Sequence, residues 1–191
     1  MHASGFAVGG QHITMDLARG LGACIADAER IKTLYGTVLT GGSDARELLS
    51  VPSAGDNDRD TPQVVSRATI ANIVRQRAEE IFEMVRDRLA DSPFAAEPRA
   101  RVVLSGGASQ LTGLVDLATQ ILGRPVRIGR PLGFGRLPSE AKSASFAVPS
   151  GLLVYPQFAH LEHVEPRHTR QLKTGTDGYF GKVGRWLREG F

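Results

Sequence analysis

Apolar residues along this chain recur with helical spacing in some stretches and run together in shorter ones. Ile13, Leu17 and Leu21 share one face after the Gly9-Gly10 punctuation, which predicts a first helix with Thr14 and Asp16 on its other faces. A second helix is predicted from about Ala26 to Tyr35, stopping at Gly36 in a left-handed cap. Thr37-Val38-Leu39 and Leu48-Leu49-Ser50-Val51 read as strands around a Gly41-Gly42 turn, and Ala54 to Pro62 as an acidic surface loop. The longest pattern comes next. Ser66 suits an N-cap, and Ile70, Val74, Ala78, Ile81, Val85 and Leu89 predict one buried stripe on a helix over 66–89.

Arg101 to Ser105 reads as a strand, closed by Gly106-Gly107 and followed by a helix from about Gln110 to Leu122. Pro125 to Gly129 is a further short strand. Ser143 to Tyr155 is helical, with Pro149 demanding a kink or a late start. His160 to Asp177 is polar and aperiodic, which predicts a linker. The last stretch is patterned again: Tyr179, Phe180, Val183, Trp186, Leu187 and Phe191 form a stripe, with Lys182, Arg185 and Arg188 beside and opposite it. Mixed helices and short strands of this kind make an α/β chain.

Composition narrows this picture only a little. At 191 residues the chain fits one medium domain or two small subdomains. Its single cysteine, Cys24, allows no internal disulfide and no thiolate-rich metal site, which favours a reducing cytosolic setting. Met1 to Phe6 have no positive flank and no long apolar stretch, so a signal peptide is not expected there, and no apolar run reaches the ~20 residues of a membrane span. Charge is uneven: residues 1–60 carry 5 Lys+Arg against 8 Asp+Glu, a balance of −3, so the rest of the +3 chain carries +6. Basic character toward one end points to an acidic partner. Nucleic acid is not expected, because the arginines alternate with glutamates and lack an aromatic stacking platform. No nucleophile elbow marks a hydrolase. His160, His163 and His168 with Glu162 and Glu165 match no structural zinc spacing and read as solvated linker.

Two stretches offer candidate chemistry. Ser105-Gly106-Gly107-Ala108-Ser109 joins a strand to a helix start, where glycines admit a close ligand and free N–H groups favour anions or polar rings. Paired glycines also serve merely to turn tightly. Glu29 and Lys32 share a helix face; a carboxylate can hold ribose hydroxyls and a lysine stem can lie over a base. Taken alone, such a pair is an ordinary solvated ion pair.

In order, the segments Gly9 to Ala18, Ala28 to Gly36 and Val102 to Leu111, continued by Pro125 to Gly129 and Gly151 to Tyr155, resemble the FtsA family of bacterial cell-division proteins. That family belongs to the actin/Hsp70-like ATPases. The resemblance implies the C-terminal lobe of an actin-like (ribonuclease H-like) fold with an inserted α+β subdomain. Residues 1–20 would begin the inner subdomain, 21–96 form the outer one, 97–159 return to the inner one, 160–177 form the linker and 178–191 the terminal helix. It implies that Glu29 and Lys32 face the ribose and adenine of ATP, over a floor of Gly106, Gly107 and Ala108. Arg77 would match a basic position receiving the acidic C-terminal peptide of the tubulin-like FtsZ, a carboxylate being a bidentate partner for a guanidinium. An ion pair with Glu80 or Glu83 is the plain alternative there.

The resemblance begins at Met1 just after the family's second phosphate hairpin. It therefore implies the C-terminal half, with Mg²⁺ bound only in a full-length protein and no ATP hydrolysis by this chain alone. Pro149 stands where a small or polar residue would precede the final helix.

Gly-Tyr-Phe-Gly-Lys-Val-Gly-Arg-Trp-Leu-Arg-Glu, residues 178–189, resembles the family's membrane-targeting sequence. Phe180, Lys182, Val183, Arg185, Trp186, Leu187, Arg188 and Phe191 would bind anionic lipid, with rings at the headgroups and basic ends on phosphates. Docking of this helix on its own domain, in another actin-like ATPase or kinase relative, is the alternative. One anchor would bind weakly and several side by side far more tightly, so filament formation and attachment would reinforce each other. The implied setting is the cytoplasmic face of the inner membrane at the septum, with FtsZ, further copies of the chain and later divisome proteins as partners.

Overall fold

The computed structural model describes residues 2–41, 43–52, 63–97, 99–132, 138 and 140–158. The chain divides into two compact units, Met1–Val154 and Tyr155–Phe191. The hydrophobic core lies in the first. The loop expected over 54–62, the linker over 160–177 and the terminal helix over 178–191, with all its lipid-facing candidates, lie outside the described residues.

Helix α1 spans Gly10–Leu21 and buries Ile13, Leu17 and Leu21, the expected stripe. It also buries Thr14 completely, which its apolar pattern alone did not require. Gly22 ends the helix in the left-handed region at φ +57°. Helix α2, Ile25–Tyr35, packs on α1 through Ala28 and Ile31. Its closing Gly36 is not a left-handed cap; φ is −64° and ψ 120°. Glycine is needed for room instead: a Cβ there would lie 2.2 Å from the Lys32 carbonyl oxygen and 2.6 Å from Leu111 Cδ2.

The expected strand over Thr37–Leu39 reduces to one parallel bridge between Thr37 and Thr112. Strand β1, Leu48–Val51, pairs instead with β2, Gln63–Ser66, antiparallel, with Leu49 opposite Val65. The partner was missed because β2 is short and shows no clean alternation. Ser66 then caps α3, Arg67–Ala90, its hydroxyl accepting from the Thr69 amide at 3.3 Å. Helix α3 buries Ile70, Ala71, Val74, Ala78 and Phe82. Phe82, not Ile81, continues the stripe, because the buried row advances in steps of four from Ile70.

Helix α3 lies at the centre of the core, packed against α1 and against α4, Leu114–Leu122, which contributes Leu114, Leu117, Ala118 and Leu122. Strands β3, Val102–Leu104, and β4, Val126–Ile128, pair in parallel, Val103 opposite Arg127. The helix expected from Gln110 starts late. A 3₁₀ turn, Gly107–Gln110, succeeds the strand, and Gly113 at φ +82° re-aims the chain into α4. Helix α5, Ala147–Phe158, comes after a 3₁₀ turn at Ala144–Phe146. Its late start puts Pro149 in the first turn, where the missing N–H needs no intrahelical partner. No helix among the described residues is long and apolar enough to cross a membrane.

Candidate functional site

A cleft of about 770 Å³ opens between the start of α1, the exposed face of α2 and the Gly107–Gln110 turn. Glu29, Lys32, Gly106, Gly107 and Ala108 all line it, so residues predicted from separate stretches meet in one place. Leu34 and Leu111 add apolar wall, and Gln11, Thr33, Thr112 and Ser145 add polar groups.

Local geometry explains how the walls are held. The Val38 amide donates to the Thr112 carbonyl at 3.0 Å, stitching the end of α2 to the chain beyond the turn. The Gly106 amide donates to the Ala144 carbonyl at 2.9 Å, and Gln110 Nε2 to Ser145 Oγ at 3.0 Å, which fixes the turn from its other side. Gly106 sits at φ +94°, a conformation that side chains rarely adopt. Gly107 plays a different part. A Cβ built on it meets nothing within 4 Å, so it faces open space. At Gly10, by contrast, a Cβ would stand 2.7 Å from Ala108 Cβ, so this glycine lets α1 and the turn close on each other.

The α-helix start that borders the cleft is that of α1, not one after the glycine pair. Gly10 and Gln11 form its first turn and line the cavity. Early N–H groups in a helix have no intrahelical partner and favour anions. The expectation of a helix N-terminus at Ser105–Ser109 is therefore corrected: α4 begins only at Leu114.

Electrostatics centre on α2. Lys32 Nζ donates to Glu29 Oε2 at 2.6 Å and to Thr14 Oγ1 at 2.8 Å, and the Thr14 hydroxyl donates to the same Glu29 oxygen at 2.5 Å. Lys32 is 11% exposed and Glu29 48%. Burial pushes the Glu29 carboxyl up, but the hydrogen bonds from Lys32 and Thr14 and the lysine's charge outweigh it and hold the group below its ordinary range. The pair is thus not a loose surface pair, since a buried hydroxyl pins it from beneath. Thr14 and Gly10 were missed as site residues. The available signal was the polar Thr14 one turn beyond Gly10, on a helix whose neighbouring positions are core.

Arg77 stands apart from this cleft, between α1 and α3. Its Nε donates to Asp16 Oδ2 at 2.5 Å and its Nη2 to Asp16 Oδ1 at 3.1 Å, a bidentate pair. Nη1 donates to Glu80 Oε2 at 2.6 Å. The bond to Asp16, with the Asp16 and Glu80 charges, raises the guanidinium's pKa against the opposing effect of burial. Glu80 is one of the two partners weighed from the sequence, Glu83 being the other, while Asp16 lies 61 positions away and carried no local signal.

Chemically, the cleft offers an apolar wall, a fixed carboxylate, a glycine floor and a helix N-terminus, a combination that suits a polar ring joined to an anion.

Comparison with known proteins bears on this arrangement. A family model described as cell division protein FtsA matches residues 1–151. The cell division protein FtsA of Rhizobium meliloti is 47% identical over 191 residues, covering all of this chain and 43% of that protein. Those of Neisseria meningitidis and Escherichia coli K12 are 33% and 28% identical, each also aligned with the whole chain and covered for 46% of its own length. The chain thus spans less than half the length of the relatives it matches. Among solved structures, MreB5 of Spiroplasma citri bound to ADP gives a TM-score of 0.60 at 14% identity, over 81% of this chain and 46% of that one. Its AMPPNP-bound form gives 0.59 at 15%, over 82% and 46%. The likeness establishes an actin-like α/β fold.

Proposed function

The chain belongs to the FtsA family of cell-division proteins, and from that premise we propose that its cleft takes the adenosine part of ATP. One observation carries the reading: Glu29, Lys32 and the Gly106–Ala108 turn, far apart in sequence, line a single cleft with the first turn of α1. Glu29 would accept from the ribose, and the Lys32 stem with Leu34 and Leu111 would flank the base. Gly106, Gly107 and Ala108 would form the floor. The α1 N-terminus would face the phosphate end of the ligand. The nucleotide-bound state of the structural neighbours supports the same ligand class. Mg²⁺ would come with the phosphates, and hydrolysis would need groups beyond those lining this cleft.

Gly107→Asp tests the pocket. A Cβ at this position meets nothing within 4 Å, so stability should hold, while a carboxylate in the floor should weaken calorimetric ATP affinity at least about tenfold. Undiminished affinity would remove the assignment.

Around this pocket, the protein acts as a division scaffold linking FtsZ filaments to the membrane, with self-association into filaments and recruitment of later divisome proteins. Family membership supports that role. Arg77 would receive the FtsZ tail by exchanging Asp16 or Glu80 for a peptide carboxylate, and tail affinity unaltered by Arg77→Glu would dismiss it. Membrane attachment rests on the stripe Phe180, Val183, Trp186, Leu187 and Phe191 with Lys182, Arg185 and Arg188. Phe180→Ala with Trp186→Ala should release the chain from anionic vesicles in co-sedimentation, and equal binding by the double variant would refute the anchor. The proposed location is peripheral, on the cytoplasmic face of the membrane at the septum.

A further inference from the structure

Thr14 lies beneath the cleft with none of its surface exposed. Burying a hydroxyl is costly unless it is paired, and this one has three partners. Its single proton has two acceptors in reach, Glu29 Oε2 at 2.5 Å and, at a longer 3.3 Å, the Gly10 carbonyl, and its oxygen accepts from Lys32 Nζ. An ammonium carries three protons and no acceptor. Those of Lys32 have three acceptors in reach: Thr14 Oγ1, Glu29 Oε2 and, at 3.3 Å, the Gly10 carbonyl. The lysine head is therefore spent inside the protein. Its contribution to a ligand is the stem and the charge.

Glu29 is in the opposite position. Its Oε2 takes both internal bonds, while Oε1 has no partner among the described residues, on a side chain that remains 48% exposed in the cleft wall. We propose that Thr14 is a positioning residue of the nucleoside site: by fixing Glu29 Oε2 and Lys32 Nζ to one hydroxyl, it leaves Glu29 Oε1 aimed as the acceptor for the ribose hydroxyls. This rests on the adenosine reading of the cleft. Without the Thr14 hydroxyl, Glu29 Oε2 loses one of its two anchors and Nζ regains an unpaired proton. The carboxylate is then free to turn, and the difference between a ribose and a 2′-deoxyribose is no longer read at a fixed point.

The test is calorimetric titration of the full chain with adenosine and with 2′-deoxyadenosine. A hydrogen bond to a charged group implies that the wild-type chain prefers adenosine by roughly tenfold. Thr14→Ser keeps the hydroxyl and should keep the preference; Thr14→Val should lose most of it. Glu29→Gln provides a second reading should the valine variant fold poorly, and it too should lose the preference. A Thr14→Val chain that discriminates like wild type overturns the positioning role, as does discrimination surviving Glu29→Gln. Binding of neither nucleoside by the wild-type chain overturns the adenosine reading itself, and the inference with it.

Discussion

At the scale of single residues, the cleft depends on atoms that sequence spacing could not pair. Glu29 and Lys32 stand three apart on one helix, so their ion pair was legible. The hydroxyl of Thr14 was not, because a threonine among apolar core positions gives no sign of what it will touch across a helix interface. The pairing has a consequence for pH. The Glu29 carboxyl is held below its ordinary value of 4.5, and Lys32 is the charged group acting on it among the described residues. A group with a lowered folded pKa contributes its stabilisation in full above the unfolded value and loses it as pH falls through the folded one. On the proposed reading of the cleft, adenosine affinity requires the ionised carboxylate and should stay level from pH 7 to pH 5, as ordinary carboxylate titration dictates. It should fall only below 4.5. A midpoint at or above pH 5, measured by titration across buffers, would contradict the Glu29 assignment. The glycines also sort at this scale. Gly106 answers to backbone conformation, Gly10 and Gly36 to close approach and Gly107 to open space, distinctions invisible in four identical letters.

At the scale of elements, strong helical periodicity was read correctly, and its failures have physical causes. Helices α1, α2 and α3 lie where the apolar spacing put them. The stripe on α3 was misread at one position, since Ile81 and Phe82 both fit a broad apolar face, and packing against the shared core selects the ring. Phe82→Ala should cost about 3–5 kcal/mol in urea denaturation. Ile81→Ala, at a partly exposed position, should cost only about 1–2 kcal/mol. Equal costs would return the stripe to its expected course. Short strands were read less well. Thr37–Leu39 has strand composition but finds only one bridging partner among the described residues, and β2 pairs with β1 without an alternating pattern to announce it. The start of α4 was misplaced because Gly113, at φ +82°, and not the Gly106-Gly107 pair, turns the chain into the helix.

At the scale of the whole molecule, the actin-like fold and the family were legible because several short motifs stand in a fixed order, although each alone is weak. For three of them that order has a physical basis: the bridge at Thr37 and Thr112 and the hydrogen bonds of the Gly107–Gln110 turn bring Gly9–Ala18, Ala28–Gly36 and Val102–Leu111 to the same cleft. The terminal stripe is a separate matter of amphipathic patterning, read from sequence alone. The central claim, that the cleft between α1, α2 and the glycine turn holds adenosine, is tested most directly by amide chemical-shift mapping of the isotope-labelled chain during adenosine titration. The account expects saturable shifts concentrated at Gly10, Glu29, Lys32 and Gly106–Ala108. Saturable shifts centred elsewhere, or none at these residues up to the solubility of the nucleoside, would contradict it.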